Sequence, residues 1–204
     1  ADVREVHGLI VCDGEHLTAA DIHLDYPSVG ATENIIMAAV GAEGETLIHN
    51  AAREPEIEDL QEFLNAQGHE ISGAGSSTVC ILGKRSVRND AAVEHRIMPD
   101  RIVAGTLLCA AAITGGEVTL TGAAPAHLGS VIAKLREAGC QIGVRGQSIR
   151  LVAPERLGEI KLIETLPYPG FPTDMQAQFF ALCCVAGGTS VIVVSSPTWP
   201  PDSP

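Results

Sequence analysis

Three short polar turns, each at the predicted start of a helix, carry the residue types in this sequence that are best suited to chemistry. They are Tyr26–Thr32, Met98–Arg101 and Gly170–Asp174. The first four backbone amides of a helix have no partner inside it, and the helix dipole adds partial positive charge at that end. Such a turn can bind an anion such as phosphate without a cluster of basic side chains.

Two residues of these turns have two interpretations each. Ser28 is either an ordinary helix cap or part of an anion site, where Gly30 would let a ligand approach the backbone closely. Asp174 is either an acid favoured by the helix dipole or a general base at the mouth of a cleft. Arg101 and Glu54 are similarly ambiguous, since residues at helix starts also form ordinary salt bridges. Spacing alone favours the structural interpretation of Ser28 and Asp174.

The elements that must position these turns follow an internal repeat. Gly44, Gly116 and Gly188 are spaced 72 residues apart, and the residues around them are similar. Each period predicts a helix, a strand, a helix and two further strands. The first helices are predicted to begin near Ser28, Asp100 and Thr173, whose side chains can cap the free amides of the first turn. They are predicted to end at Gly44, Gly115-Gly116 and Gly187-Gly188.

The second helix and the strands of each period are also predicted from residues within them or at their ends. Pro55 predicts the first turn of a second helix, and Gly68 and Gly139 predict the ends of the second helices. The predicted strands are Thr46–His49, Glu70–Ser72, Thr78–Leu82, Val118–Thr121, Gln141–Val144, Ile149–Val152 and Ser190–Val194. One such unit cannot bury both of its faces alone, so we expect copies to pack against each other.

The first and last units of the repeat are incomplete. Residues 1–27 match only the tail of a unit, and the third unit stops in a Pro/Ser-rich segment. We therefore expect the chain to be a piece of a larger repeat protein. The polar stretch Lys84–Arg96 is the predicted connector between domains.

Composition excludes several classes of protein. Of 204 residues 46% are hydrophobic, and the formal net charge is −12. A chain this apolar is globular, and one this acidic is poorly suited to nucleic acid or an anionic membrane. Apolar runs are too short to span a membrane, so a cytoplasmic protein is expected. The histidines lack metal-ligand spacing, and all six cysteines are interpreted as reduced core residues, so no metal is expected.

Four blocks of residues resemble one enzyme family. They are Tyr26–Asn34, Asn50–Ile57, Pro99–Thr106 and Pro167–Gln178. In this order they resemble the UDP-N-acetylglucosamine 1-carboxyvinyltransferases, which are enolpyruvyl transferases of bacterial peptidoglycan synthesis. The resemblance extends from about residue 8 to about residue 192.

The resemblance implies an α/β fold: an inside-out α/β barrel built from repeated units, with helices inside and sheets outside, and incomplete in this chain. It implies a nucleotide-sugar-side domain over residues 1–97 and a second domain with Asp174 over residues 98–192, followed by a divergent tail over residues 193–204. This repeat architecture agrees with the period of 72 residues found independently.

The resemblance also implies a reaction and its residues. The enolpyruvyl group of phosphoenolpyruvate would pass to the 3-hydroxyl of UDP-N-acetylglucosamine with release of phosphate, and no metal or organic cofactor would take part. Asp174 would accept the hydroxyl proton, with Thr173 beside it. The residues matched to the uridine diphosphate moiety are Tyr26, Pro27, Ser28, Val29 and Gly30.

Other interpretations stay open. The family's Lys-Asn pair and its Pro-Gly-Gly-Cys loop match nothing in this sequence, so we expect the chain to be inactive or nearly so by itself. It would then bind uridine nucleotide without turnover, or bind a partner chain that supplies the missing repeats. A sister enzyme that acts on shikimate 3-phosphate would share the repeats, but not these blocks.

Overall fold

The computed structural model describes residues 2–14, 16–84 and 92–194. The chain divides into two compact units, Ala1–Ile97 and Met98–Pro204. Each unit combines helices and strands in the order that the repeat predicts.

The first unit begins with a hairpin of strands β1 (Asp2–Val6) and β2 (Leu9–Asp13). His7 and Gly8 form its turn with φ angles of 52° and 77°, as a two-residue hairpin turn requires. Among the described strands the hairpin pairs only with itself.

A four-stranded sheet follows in the first unit. Its strands β3 (Asp21–His23), β4 (Gly44–His49), β5 (Glu70–Ser72) and β6 (Thr78–Gly83) lie in the order β3-β4-β6-β5. Strand β3 runs parallel to β4, so the chain must cross over between them, and it does so through helix α1 (Val29–Ala39). Helix α2 (Pro55–Ala66) has Pro55 in its first turn, as predicted. The core between helices and sheet centres on Ile36, Ile48, Ile57 and Ile81.

The second unit repeats this order. It contains α3 (Arg101–Ile113), β7 (Glu117–Thr121), a 3-10 turn (Pro125–Leu128), α4 (Gly129–Glu137), β8 (Gln141–Arg145), β9 (Ser148–Val152), β10 (Leu162–Glu164), a second 3-10 turn (Thr173–Met175), α5 (Gln176–Val185) and β11 (Val191–Val193). Its sheets are β7-β9-β8 and the parallel pair β10-β11. One apolar core includes residues of all three helices, among them Leu108, Leu135 and Phe179.

The period of 72 residues is visible as packing in the second unit. Helices α3 and α5 pack together, and Gln178 Nε2 donates to Thr106 Oγ1 over 2.9 Å. These two residues are 72 positions apart, so equivalent positions of two repeats meet side by side. The predicted repeat is confirmed at this point.

The predicted end of the first helix is wrong, and some short strands were not predicted. The first helix ends at Ala39 rather than at Gly44. Gly44 instead opens β4 with a φ of 109°, and an added Cβ would lie 2.9 Å from Ala19 Cβ. The sequence also gave no sign of β3 or β10, which are three residues long.

Val193, the first residue of the tail predicted over residues 193–204 and also part of the predicted strand Ser190–Val194, ends β11 and pairs with Glu164. Residues 195–204 lie outside the described residues, as do residues 85–91 of the predicted connector Lys84–Arg96.

Candidate functional site

The turn before α1 is built around Ser28. Ser28 has an extended backbone, and its Oγ accepts from the Ala31 amide over 3.3 Å, so the predicted cap is confirmed. The amides of Val29 and Gly30 come first in the helix and have no acceptor within it. Tyr26 is 38% exposed, and an added Cβ on Gly30 would have no other group within 4 Å. The helix therefore presents accessible amides at an open surface.

Thr32 connects this turn to the loop after β4. Its buried hydroxyl donates to the Ser28 carbonyl over 2.8 Å and accepts from the Ala52 amide over 3.0 Å. Asn50, with a φ of 54°, donates from Nδ2 to the Leu24 carbonyl over 2.8 Å. The loop is thereby held against the start of α1. The sequence placed Thr32 and Asn50 in the motif blocks without predicting this structural role.

Two carboxylates lie near the starts of the helices in this unit. Glu33 is half-buried on α1, and Glu56 lies in the first turn of α2. Burial raises the pKa of Glu33, and the negative charge of Glu56 raises it further. The Glu33 carboxyl therefore binds a proton at a higher pH than an exposed glutamate does.

Asp174 lies in the second unit, on the 3-10 turn before α5. The turn is anchored by Met175, which is fully buried and whose amide donates to the Pro172 carbonyl over 3.1 Å. Asp174 itself is exposed and has no hydrogen bond or ion pair with any residue in the described ranges. Its carboxylate is thus accessible to solvent or ligand.

Thr173 differs from its prediction. It was expected to cap the helix, but Pro172 holds the capping position of the 3-10 turn, and no side chain caps either that turn or α5. The reason is that Thr173 begins a 3-10 turn, Thr173–Met175, and the α-helix starts only after this turn, at Gln176. Thr173 is exposed next to Asp174.

Helix α3 packs against the 3-10 turn that carries Asp174. Asp100 caps it through Oδ1, which accepts from the Ile102 and Val103 amides at 2.7 and 3.0 Å. Arg101 is 8% exposed, with its guanidinium carbon 5.7 Å from the centre of the Tyr168 ring. A buried guanidinium over a ring is stabilised as a cation–π pair. Arg101 thus makes a buried contact with Tyr168 within the second unit.

The predicted site residues fall into two groups. Residues Tyr26–Gly30 surround the start of α1 in the first unit, and Thr173 and Asp174 lie at the start of α5 in the second. Each group is located at a helix N-terminus, where the dipole favours negative ligands. In the described ranges no group of three or more histidine, cysteine or acidic residues is arranged to hold a metal ion.

A large surface cavity lies elsewhere in the first unit. Its volume is about 500 Å³, and it is lined by strand residues that include Glu45, Glu70 and Cys80. None of the predicted site residues lines it. Size alone therefore does not identify the site.

The cysteines divide by exposure, which corrects the prediction that all six lie in the core. Cys109 and Cys140 are buried, whereas Cys12 and Cys184 are exposed. Cys184 lies in an apolar run, but on the outer face of α5. Burial raises the pKa of the Cys109 thiol to about 12, and the neighbouring Cys140 adds to this shift. A thiol of this kind is almost entirely protonated at pH 8 and is a poor nucleophile.

Thiol labelling of the folded chain should therefore be selective. At pH 8 we expect a disulfide reagent to modify Cys12 and Cys184 within minutes, and Cys109 only after unfolding. Mass spectrometry of the digested protein would identify the modified positions. Rapid modification of Cys109 without denaturant would contradict its burial.

Comparison with known proteins connects this geometry to a family. The model of the EPSP synthase (3-phosphoshikimate 1-carboxyvinyltransferase) family matches residues 3–196. The chain belongs to this family. The resemblance found in the motif blocks is confirmed by curated relatives of the UDP-N-acetylglucosamine type.

Two such relatives illustrate the match. UDP-N-acetylglucosamine 1-carboxyvinyltransferase 1 of Symbiobacterium thermophilum is 56% identical over 176 residues, covering 86% of this chain and 39% of that protein. UDP-N-acetylglucosamine 1-carboxyvinyltransferase of Geobacter metallireducens is 50% identical over 192 residues, covering 94% of this chain and 45% of that protein. The chain thus spans less than half the length of these relatives.

Solved structures of the family share the fold. The enolpyruvyl transferase NikO of Streptomyces tendae matches with a TM-score of 0.73 and 21% identity, over 97% of this chain and 50% of its own. EPSP synthase of Acinetobacter baumannii matches with a TM-score of 0.58 and 20% identity, over 94% and 45%. The predicted α/β inside-out barrel class is confirmed, and this chain corresponds to about half of such a protein. Within the described residues no helix is long and apolar enough to cross a membrane.

Proposed function

We propose that this chain contributes to the transfer of the enolpyruvyl group of phosphoenolpyruvate to the 3-hydroxyl of UDP-N-acetylglucosamine, with release of phosphate. The main support is 50% identity over 94% of the chain to a relative named for that reaction. Because the identity is this high, we propose for this chain the acceptor that the relative is named for, UDP-N-acetylglucosamine.

The Ser28 turn is the proposed contact for the diphosphate of the nucleotide sugar. Ser28 Oγ already accepts from the Ala31 amide, so the Val29 and Gly30 amides are the better donors. The absence of any neighbouring group within 4 Å of a Cβ on Gly30 supports close approach of a ligand. The exposed Tyr26 ring and Pro27 would then pack along the nucleotide.

Asp174 is the proposed general base. The sugar oxygen bonds to the enol carbon of phosphoenolpyruvate and its proton passes to the carboxylate, while the electrons of the double bond take up a proton from solvent at the methylene carbon. Phosphate then leaves the enol carbon with its bonding electrons, and loss of a proton from the new methyl group restores the double bond. The proton on Asp174 passes to phosphate or solvent, so the carboxylate is regenerated. The exposure of Asp174 and its lack of a partner among the described residues support this role. Thr173 is proposed to contact the sugar beside it.

The same proposal assigns each unit a part. Residues 1–97 would form part of the nucleotide-sugar-side domain, and residues 98–192 part of the domain that carries the base. The reaction is the first committed step of peptidoglycan synthesis, so the protein would serve cell-wall biogenesis, cell shape and division in the bacterial cytoplasm.

A second acceptor, shikimate 3-phosphate, is favoured by the description of the matching family. The solved EPSP synthase structure is only 20% identical to this chain, whereas the nucleotide-sugar relatives are about 50% identical. UDP-N-acetylglucosamine is therefore the stronger candidate.

Calorimetric titration of the purified chain with each acceptor would separate these candidates. We expect UDP-N-acetylglucosamine to bind and shikimate 3-phosphate not to bind. Gly30→Ala should weaken binding about tenfold, or about 1.4 kcal/mol, because the methyl group occupies the approach to the helix amides. Phosphate release in the presence of phosphoenolpyruvate would then show whether binding leads to turnover.

Gly129→Ala is the matched control for that variant. Gly129 also lies at the start of a helix with no neighbour within 4 Å of an added Cβ, so its substitution should leave nucleotide binding unchanged. Tighter binding of shikimate 3-phosphate than of the nucleotide sugar would refute the proposed acceptor.

A further inference from the structure

Gln178 lies on α5, close in sequence to the Asp174 turn. It lies one helical turn after Asp174, and side chains of a helix lean toward its N-terminus, so Gln178 leans back toward the turn. Its Nε2 donates to Thr106 Oγ1 on α3 over 2.9 Å. Its Oε1 is buried and has no hydrogen-bond partner among the described residues.

The orientation of this amide is fixed by Thr106. The Thr106 hydroxyl donates its proton to the Ile102 carbonyl over 2.8 Å, so the hydroxyl oxygen can only accept from Gln178. The nitrogen of the amide must therefore face Thr106, and the oxygen is the atom left unpaired. Leaving a buried acceptor unpaired destabilises a fold, and a methionine here would avoid that cost.

The neighbouring residue of α3 holds the same turn. A Cβ on Gly105 would lie 2.9 Å from both Met175 Sδ and Cε, so the absence of a side chain at Gly105 lets the Met175 side chain pack against α3. Gly105 and Thr106 thus contact Met175 and Gln178, which follow Asp174 by one and four residues. Gly105 sets how closely the turn approaches α3, and Thr106 holds α5 through Gln178.

The equivalent position in the first unit behaves differently. Asn34, which is 72 residues before Thr106, donates to the Gly30 carbonyl of its own helix over 2.7 Å. Thr106 also bonds to a carbonyl of its own helix, so the additional bond that Thr106 accepts from Gln178 is what distinguishes it from Asn34 among the described residues.

We propose that Gln178, held by Thr106, is a positioning residue that fixes the backbone turn carrying Asp174. This inference rests on the proposed role of Asp174 as the base, which gives the fixed turn its function. Gln178 acts through the turn and not on the substrate. The link is retained although the unpaired Oε1 lowers the stability of the fold.

Amide hydrogen exchange of the intact chain, together with thermal unfolding, tests this role. Gln178→Met removes the link and the unpaired oxygen at similar volume. We expect its Tm to be unchanged or higher, while exchange at residues 175–177 becomes at least tenfold faster. Thr106→Val should give the same local increase, and Thr106→Ser, which keeps the hydroxyl, should restore the exchange rates of the unsubstituted chain.

Two results would overturn the proposal. One is unchanged exchange at residues 175–177 in Gln178→Met. The other is faster exchange only in proportion to a lower global stability, which would indicate an ordinary packing residue. Because neither measurement needs turnover, the outcome is independent of the acceptor assay, which tests the proposed function separately.

Discussion

Asp174→Asn should lower kcat for phosphate release by a factor of about 10²–10⁴, the range that a general base contributes. Asparagine keeps the size of the side chain but does not accept the hydroxyl proton. Since Asp174 has no partner among the described residues, the substitution breaks no internal contact, and the Tm should stay the same. The loss should appear in kcat rather than in KM for the nucleotide sugar.

A chimaeric enzyme provides the assay for this prediction. Because the chain covers 45% of the Geobacter metallireducens relative, it can replace the segment that it matches there. Glu155→Gln is the matched control, since it removes an exposed carboxylate from the same unit and should leave kcat unchanged. A kcat within threefold of the unsubstituted chimaera would exclude Asp174 as the base.

Gly83→Ala should be the most destabilising small substitution in the first unit. An added Cβ would lie 1.8 Å from the Ala42 carbonyl oxygen and 2.2 Å from that of Ala39. Both are backbone atoms, one at the end of α1 and one in the segment that follows it, so neither can rotate away. We expect a loss near the upper end of the 1–3 kcal/mol typical of overpacking, and a fall in Tm of roughly 10–20 °C.

Differential scanning calorimetry of the variant checks this expectation. Gly41→Ala is the matched control, because its Cβ would lie 3.7 Å from the Ala38 oxygen, which is an ordinary contact. We expect Gly41→Ala to unfold within about 3 °C of the unsubstituted chain, within the scatter of surface substitutions. A Gly83→Ala variant of unchanged Tm would show that strand β6 and the end of α1 separate freely.

Local chemistry explains what the sequence predicted correctly. Ser28, Asp100 and Pro55 identified helix starts because capping and the first turn depend on a few adjacent residues. The repeat gave the order of elements for the same reason, since each copy carries its own turn residues.

Tertiary contacts explain what it missed. Strands β3 and β10 are too short for a periodic signal, and they exist because parallel partners lie beside them. The end of α1 is set by the tight packing of the Ala39–Ala42 segment against Gly83, which comes more than forty residues later. Thr173 was wrongly predicted as a cap because an extra 3-10 turn precedes α5.

The sequence predicted only part of the candidate site. The helix starts at Ser28 and near Asp174 were predicted, whereas the bridge through Thr32 and the link through Gln178 depend on side chains meeting across the fold. Spacing indicates that two positions are equivalent copies. It does not indicate that they touch.

The meeting of Thr106 with Gln178 has an evolutionary consequence. After a duplication, copied positions normally diverge independently, as Asn34 is free to do because it bonds within its own helix. Positions 106 and 178 share one hydrogen bond, so a substitution at either changes which residues are acceptable at the other. Loops between the two helices can vary in length, but both helices must keep the rotation about their axes that makes positions 106 and 178 face each other. The duplicated segments of this chain have therefore lost part of their independence.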